Sequence, residues 1–427
     1  MKPAIFHLNI KYQSAKVITA FLFILQVFTI NCQGKDIVVE AGTEISTVRR
    51  AVYLSQNGDR IIIKKGYYRE SDIVIDRQIK IEGENYPVID LENKFQGFTV
   101  KENNVSISGL EIRNIEVNYM HDLSGIKIEN SKNCLIENNI IYNTFFAVYL
   151  ANSDFIILRN NKITGFAKSE SSSGNGIHLW HCNNILIENN ETSGHRDGIY
   201  FEFVSKTLIK NNYSHNNLRY GLHFMFSDSN SYQENLFRDN GAGVAVMYTK
   251  NIEMTGNRFE DNWGPASYGI LLKDISRSLI KRNTFKGNTI AIFAEGSDKM
   301  MIRENEFINN GWAVKILGNC YNDSLISNNF SGNTFDISSN SSRNENYYNG
   351  NYWDKYNGYD LNKDNTGDVP YRPVSLYSMM VEKVPESIIM LRSFITEILD
   401  MTEKVMPVFI PETLLDENPK MKLNEFN

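Results

Sequence analysis

The chain has 427 residues, 42% of them hydrophobic and 22% charged, with a formal net charge of −6. That is enough apolar material for a large core or for one long solenoid. The few prolines and moderate charge argue against disorder, and no basic run or basic face offers nucleic acid a partner.

At the N-terminus, Lys2, Lys11 and Lys16 precede an apolar stretch, Val17–Ile30, of 14 residues. This is short for a membrane span and right for a signal-peptide core. Residues 1–34 are expected to be a signal peptide, cleaved near Cys32–Gly34, and the mature chain is expected to leave the cytoplasm. FTINC partly resembles a lipoprotein signal ending at Cys32, although Asn31 before that cysteine is unusual.

A repeat then takes over. Asn139, Asn161, Asn190, Asn212, Asn235, Asn257, Asn283, Asn305 and Asn329 align at spacings of 22, 29, 22, 23, 22, 26, 22 and 24. Ile107–Asn114 fits the same frame with Leu110 in the asparagine slot, and Ile79–Asp90 reads as an earlier coil. A fixed period of this size signals a solenoid. Each unit carries short alternating strands and no helical period. The expected fold is therefore all-β, a right-handed parallel β-helix over residues 35–342, with coils about 4.8 Å apart. The aligned asparagines read as an inner ladder that satisfies buried turn backbone. Cys134, Cys182 and Cys320 are odd in number and far apart, so they read as small apolar turn residues rather than a disulfide framework.

The strand GLHFMF should point Leu222 and Phe224 inward and His223 and Met225 outward. Carried to neighbouring coils, this register gives two outward columns. One is Tyr149, His178, Tyr200, His223, Ala245, Leu271; the other is Ala151, Trp180, Glu202, Met225, Met247, Lys273. His223, Met225 and Met247 could converge on one ion, a soft set suited to Cu(I). His215, read as part of the turn before the strand, reaches them only if the coil bends. His178 lies two rungs from His223, about 9.6 Å. His181 and His195 sit at flanking turns, and His121 with Met120 forms a separate loop pair. The competing reading of this face is a hydrophobic docking surface.

Two rival functions use the same fold. A polysaccharide-cleaving enzyme needs two facing carboxylates; the columns offer only Glu202, and HRDG (His195–Gly198) places its charges singly in a turn. A sugar-binding module would stack rings on Tyr149, Trp180 and Tyr200.

Beyond the repeat, residues 343–427 form a cap and a docking segment. DLNKDNTGD sets Asp360, Asn362, Asp364 and Asp368 at alternating offsets, the pattern of calcium-binding loops but without an EF-hand glutamate. Ile388, Leu391, Phe394, Ile395, Ile398, Met401 and Val405 recur at helical spacing between two prolines. That helix either packs on the solenoid or docks on another protein.

The array combined with W-D-x-Y-x-G-x-D-x-x-x-D-x-x-G-D-x-P-Y (Trp353–Tyr371) resembles the NosD family from about Lys35 almost to the end. The array alone is weakly specific; the Trp353–Tyr371 stretch is much more so. The resemblance implies a non-enzymatic periplasmic accessory protein in nitrous oxide reductase maturation. It implies work at the inner membrane with an ABC transporter (membrane subunit NosY, ATPase NosF) and copper received from the chaperone NosL for the copper–sulfur centre. The cap and helix then become the expected transporter contact.

Overall fold

A computed structural model of the chain describes residues 34–426 apart from 119–120, 342–344 and 406–413. The signal segment with Cys32, Met120 and the segment after Val405 lie outside the described residues. The strands wind into three parallel sheets of 14, 13 and 12 strands. The first sheet starts at Asp36–Val39, the second at Tyr67–Arg69 and the third at Ile73–Ile75. Successive strands of a sheet come from successive coils, so about 14 turns stack along one axis.

The local cause is period-2 alternation: one side chain in each three-residue strand enters the core. Ile136, Leu158, Ile187, Ile209, Tyr232 and Met254 form one such inward column, each fully buried. Another runs Phe237, Phe259, Phe285, Phe307, Phe330 and Trp353, with consecutive rings stacked 4.2–5.5 Å apart. Cys134, Cys182 and Cys320 are buried and free.

The asparagine doublets divide two jobs. In IENN the first asparagine, Asn138, takes the left-handed conformation (φ 55) and the second, Asn139, turns inward. Each inward asparagine donates through Nδ2 to Oδ1 of the next, from Asn139 through Asn161, Asn190, Asn212, Asn235, Asn257, Asn283 and Asn305. The expected last rung, Asn329, is wrong by one. Ser327 takes the left-handed turn there, so Asn328 points in, and the ladder runs on to Asn351. Strands at Tyr347–Asn349 and Tyr352–Trp353 carry the coils past residue 342. A second ladder, which the repeat frame did not single out, runs from Asn217 through Asn240, Asn262, Asn288 and Asn310 to Asn333.

Both ends are covered. At the N-terminal end, helix α1 (Val48–Leu54) is capped by Thr47 and buries Val48, Ala51 and Val52. At the far end the first ladder meets Asp416. Its carboxylate accepts from the backbone N–H groups of Gly350, Asn351 and Asn418, from Asn351 Nδ2 and from Trp353 Nε1, all at 2.9–3.1 Å. The expected single amphipathic helix is broken instead. Helix α2 (Leu376–Lys383) leads through a short 3-10 stretch (Pro385–Met390) to α3 (Phe394–Val405).

Candidate functional site

The third sheet carries the outward columns in the expected register. Strand pairing sets Tyr149, His178, Tyr200, His223, Ala245 and Leu271 side by side, and likewise Ala151, Trp180, Glu202, Met225, Met247 and Lys273. Leu222 and Phe224 fill the core behind them.

Although it faces outward, the first column is partly covered: Tyr149, His223 and Ala245 are buried, while His178, Tyr200 and Leu271 are half-buried. His178 is sandwiched between Tyr149 and Tyr200, at 4.6 and 4.7 Å between ring centres, with Phe146 at its edge. Asn175 Nδ2 lies 2.9 Å from His178 Nδ1. Loss of solvation, helped by the Arg196 charge, pushes the His178 imidazole down to about 3, so it stays neutral. Burial, then the Glu202 carboxylate, raises the Tyr200 phenol to about 12. His223 is only 3% exposed and sits between Tyr200 and Tyr220.

The methionines are reachable. Met225 and Met247 are half-buried on adjacent rungs, about 4.8 Å apart along the stack. Met225 Sδ lies 3.7 Å from the Tyr200 hydroxyl. Trp180, on the same column, is 36% exposed.

His215 belongs elsewhere. It is not in a turn but in a strand of the second sheet (Tyr213–His215), paired with Ser193 and Arg238. Its ring stacks on Tyr213 and its Nε2 sits 3.3 Å from Glu191. His195 is buried, its imidazole pushed down to about 4 by desolvation.

Two features went unread in the sequence. The first is Asp197, seen there only as part of a turn. It begins the strand Asp197–Glu202 and is fully buried. Its Oδ2 lies 3.6 Å from His223 Nδ1 and 3.4 Å from Arg196 Nε. The 29-residue spacing between Asn161 and Asn190 was the available signal. The extra residues bring in the buried Ser173, Gly174 and Asn175, and Gly174 accepts from the Arg196 backbone N–H.

The second is the corner beside the methionines. His181, Phe203, Phe226 and Tyr248 occupy consecutive left-handed positions (φ 50–56) where the coils on either side place Asn152, Asp274 and Gly296. Their rings stack 4.7–5.4 Å apart, and the last three are 42–44% exposed. A bulky residue at positive φ is costly. The readable sign was an aromatic residue where other coils carry Asn, Asp or Gly.

In the cap, the Asp360–Asp368 loop closes on itself. Asp360 accepts from the Asp364 and Asn365 N–H groups, Asp364 from Thr366, Asn362 from Asp364, and Asp368 from Leu361. Among the described residues no group of three or more His, Cys, Asp or Glu is placed to hold a metal. Farther on, Ile389, Phe394 and Met401 stand 88, 74 and 67% exposed.

Residues 163–358 match the family described as NosD, periplasmic copper-binding protein. That match covers a little under half of the chain, so the chain is similar to the NosD proteins over this segment. A relative from Pseudomonas aeruginosa, a probable ABC transporter binding protein NosD, is 26% identical over 87% of this chain and 90% of its own length. A relative of the same description from Stutzerimonas stutzeri is 25% identical over 67% and 70%. The segment matched to NosD contains His178, His223, Met225 and Met247 and ends inside the cap. Solved structures share the fold alone. The catalytic domain of a GH87 alpha-1,3-glucanase aligns with TM-score 0.57 at 14% identity, covering 74% of this chain and 68% of that one. An Azotobacter vinelandii mannuronan C-5 epimerase module aligns at 0.52 and 13%, covering 72% and 95%. Among the described residues no helix is long and apolar enough to cross a membrane.

Proposed function

We propose that this NosD-like chain is a non-enzymatic periplasmic accessory protein that carries Cu(I) as cargo on the outer face of its third sheet. His223, Met225 and Met247 take the ion. The observation that carries this reading is the pairing of two reachable methionines on adjacent rungs, beside a buried histidine whose ring nitrogens make no hydrogen bond. The family whose description names copper spans that same segment. Thioether and imidazole favour Cu(I). With no thiolate in the set, binding is weak enough for hand-off.

The relatives' descriptions name only an ABC transporter; the further partners follow the resemblance carried by Trp353–Tyr371. The exposed apolar residues of the 3-10 stretch and α3 dock on the membrane subunit of an ABC transporter (NosY with its ATPase NosF) at the inner membrane. Copper arrives from a chaperone of the NosL type and leaves for the copper–sulfur centre of nitrous oxide reductase.

The fold neighbours include a glucanase, yet the face lacks that chemistry. Its outward column carries Glu129, Glu202 and Glu295, three and four rungs apart, about 14 and 19 Å at the usual strand spacing, and Asp197 is buried beneath it. Glycoside hydrolysis needs carboxyl groups about 5–9.5 Å apart.

A competitive Cu(I) titration of residues 35–427 against a chromophoric chelator tests the reading. Wild type should take up one Cu(I), while Met225→Ala and Met247→Ala, shown folded by circular dichroism, should lose it. Unchanged uptake in both variants, or none in wild type, would sink the proposal.

A further inference from the structure

Ten of the fourteen buried side-chain polar atoms that have no hydrogen-bond partner among the described residues belong to eight residues between Thr144 and His223. Both carboxylate oxygens of Asp197 and both ring nitrogens of His223 are among them. A buried polar group left unpaired costs about 1–3 kcal/mol and asks for an explanation. Their arrangement gives one.

A neutral imidazole carries its proton on one nitrogen and a lone pair on the other. His223 Nδ1 lies 3.6 Å from Asp197 Oδ2, slightly beyond hydrogen-bond length. A carboxylate with neither oxygen in a hydrogen bond is a strong acceptor for a proton on that nitrogen, and the Arg196 guanidinium, 3.4 Å from Oδ2, leaves its second oxygen free. A few tenths of an ångström of side-chain adjustment completes the bond. The proton then rests on Nδ1, and Nε2 keeps its lone pair with nothing to take it. His178 is wired the other way. Its Nδ1 faces the Asn175 amide nitrogen at 2.9 Å. An amide nitrogen only donates, so Nδ1 holds the lone pair and Nε2 the proton.

We propose that Asp197 is the positioning residue that holds His223 in the Nδ1–H tautomer, while Asn175 holds His178 in the opposite one. Of the two outward-column histidines, His223 alone therefore keeps an unprotonated nitrogen outside any hydrogen bond; it is buried, so copper reaches it once the side chains over it move aside. The inference rests on the copper reading above and deepens it. A carboxylate behind a ligating imidazole fixes the ring and raises its basicity, and the metal needs the deprotonated nitrogen. His178 serves as a stacked spacer between Tyr149 and Tyr200.

The test begins without metal. Long-range proton–nitrogen correlation spectra of the full chain, labelled with ¹⁵N-histidine, report each ring's tautomer at neutral pH. His178→Gln and His223→Gln supply the assignments. Wild type should show Nδ1–H at His223 and Nε2–H at His178. Asp197→Leu, which removes the acceptor at similar volume, should release His223 to a tautomer mixture. It should also lower Cu(I) affinity about ten-fold with stoichiometry unchanged. An Nε2–H tautomer at wild-type His223 overturns the assignment, and this measurement decides alone if Asp197→Leu fails to fold. A folded Asp197→Leu with wild-type tautomer and affinity also overturns it. If the tautomers are as assigned and wild type takes no copper, the cargo reading fails while the wiring of the two histidines stands.

Discussion

The inner ladder and the corner above His223 treat buried polar groups in opposite ways. From Asn161 to Asn305 every ladder amide accepts from the backbone N–H and Nδ2 of the rung before, and donates to the rung after and to a carbonyl. Beside His223, Asn175, Arg196, Asp197 and His223 itself each bury at least one polar atom that makes no hydrogen bond. One chain thus shows that full satisfaction was within reach. Ten of the fourteen unpaired atoms fall between Thr144 and His223, in the stretch that leads to the methionines. Satisfied networks hold a fold together; an unsatisfied one costs stability and leaves its atoms available for another partner.

Breaking the ladder should have the largest effect. Asp416→Ala strands the donors of Gly350, Asn351, Trp353 and Asn418, and should cost about 4 kcal/mol. Asn235→Ala leaves Asn212 and Ile209 without their partners and should cost about 3 kcal/mol. Urea unfolding measures both, and losses below 1 kcal/mol would deny the ladder its role.

Acid probes the corner instead. His178 and His195 sit near 3 and 4 in the folded chain, against an ordinary value of 6.5. Between those values the unfolded chain binds the protons, so stability is full above about pH 6.5 and is lost as pH falls towards 4. Thermal melting from pH 7.5 to pH 4.5 should show the decline, and His195→Gln should flatten part of it. A flat profile in wild type would contradict the buried neutral histidines. The smallest change expected is a gain. Thr192 is fully buried with an unpaired hydroxyl, so Thr192→Val should add about 1 kcal/mol. A loss would show that hidden water already satisfies the corner.

Much of this was legible in the sequence. The asparagine spacing carried the fold, because a ladder repeats one requirement at every coil. Alternation in GLHFMF carried the two columns, because inward and outward positions leave no third choice. Asn329 in place of Asn328 was a miss of one residue, since in SNN a serine can take the left-handed turn that an asparagine takes elsewhere. Asp197 stayed hidden because a carboxylate in HRDG reads as a solvated turn. The residues inserted around Ser173–Asn175 form the rung beside it, and period analysis sees their length but not their fold. His215 was misplaced for a related reason: where a turn ends and a three-residue strand begins leaves little mark in the residues.

The ladder also has a direction. Each amide passes its donors to the next, from Asn139 towards Asn351, and the sequence of gifts stops at Asp416, a group that only accepts. A terminator of this kind reads the polarity of the row and not its length. Whole coils can therefore be duplicated or lost within the array with both ends still compatible. Evolution can slide the methionine face nearer to, or farther from, the capped end, one rung at a time, as a ruler is lengthened without redrawing its marks.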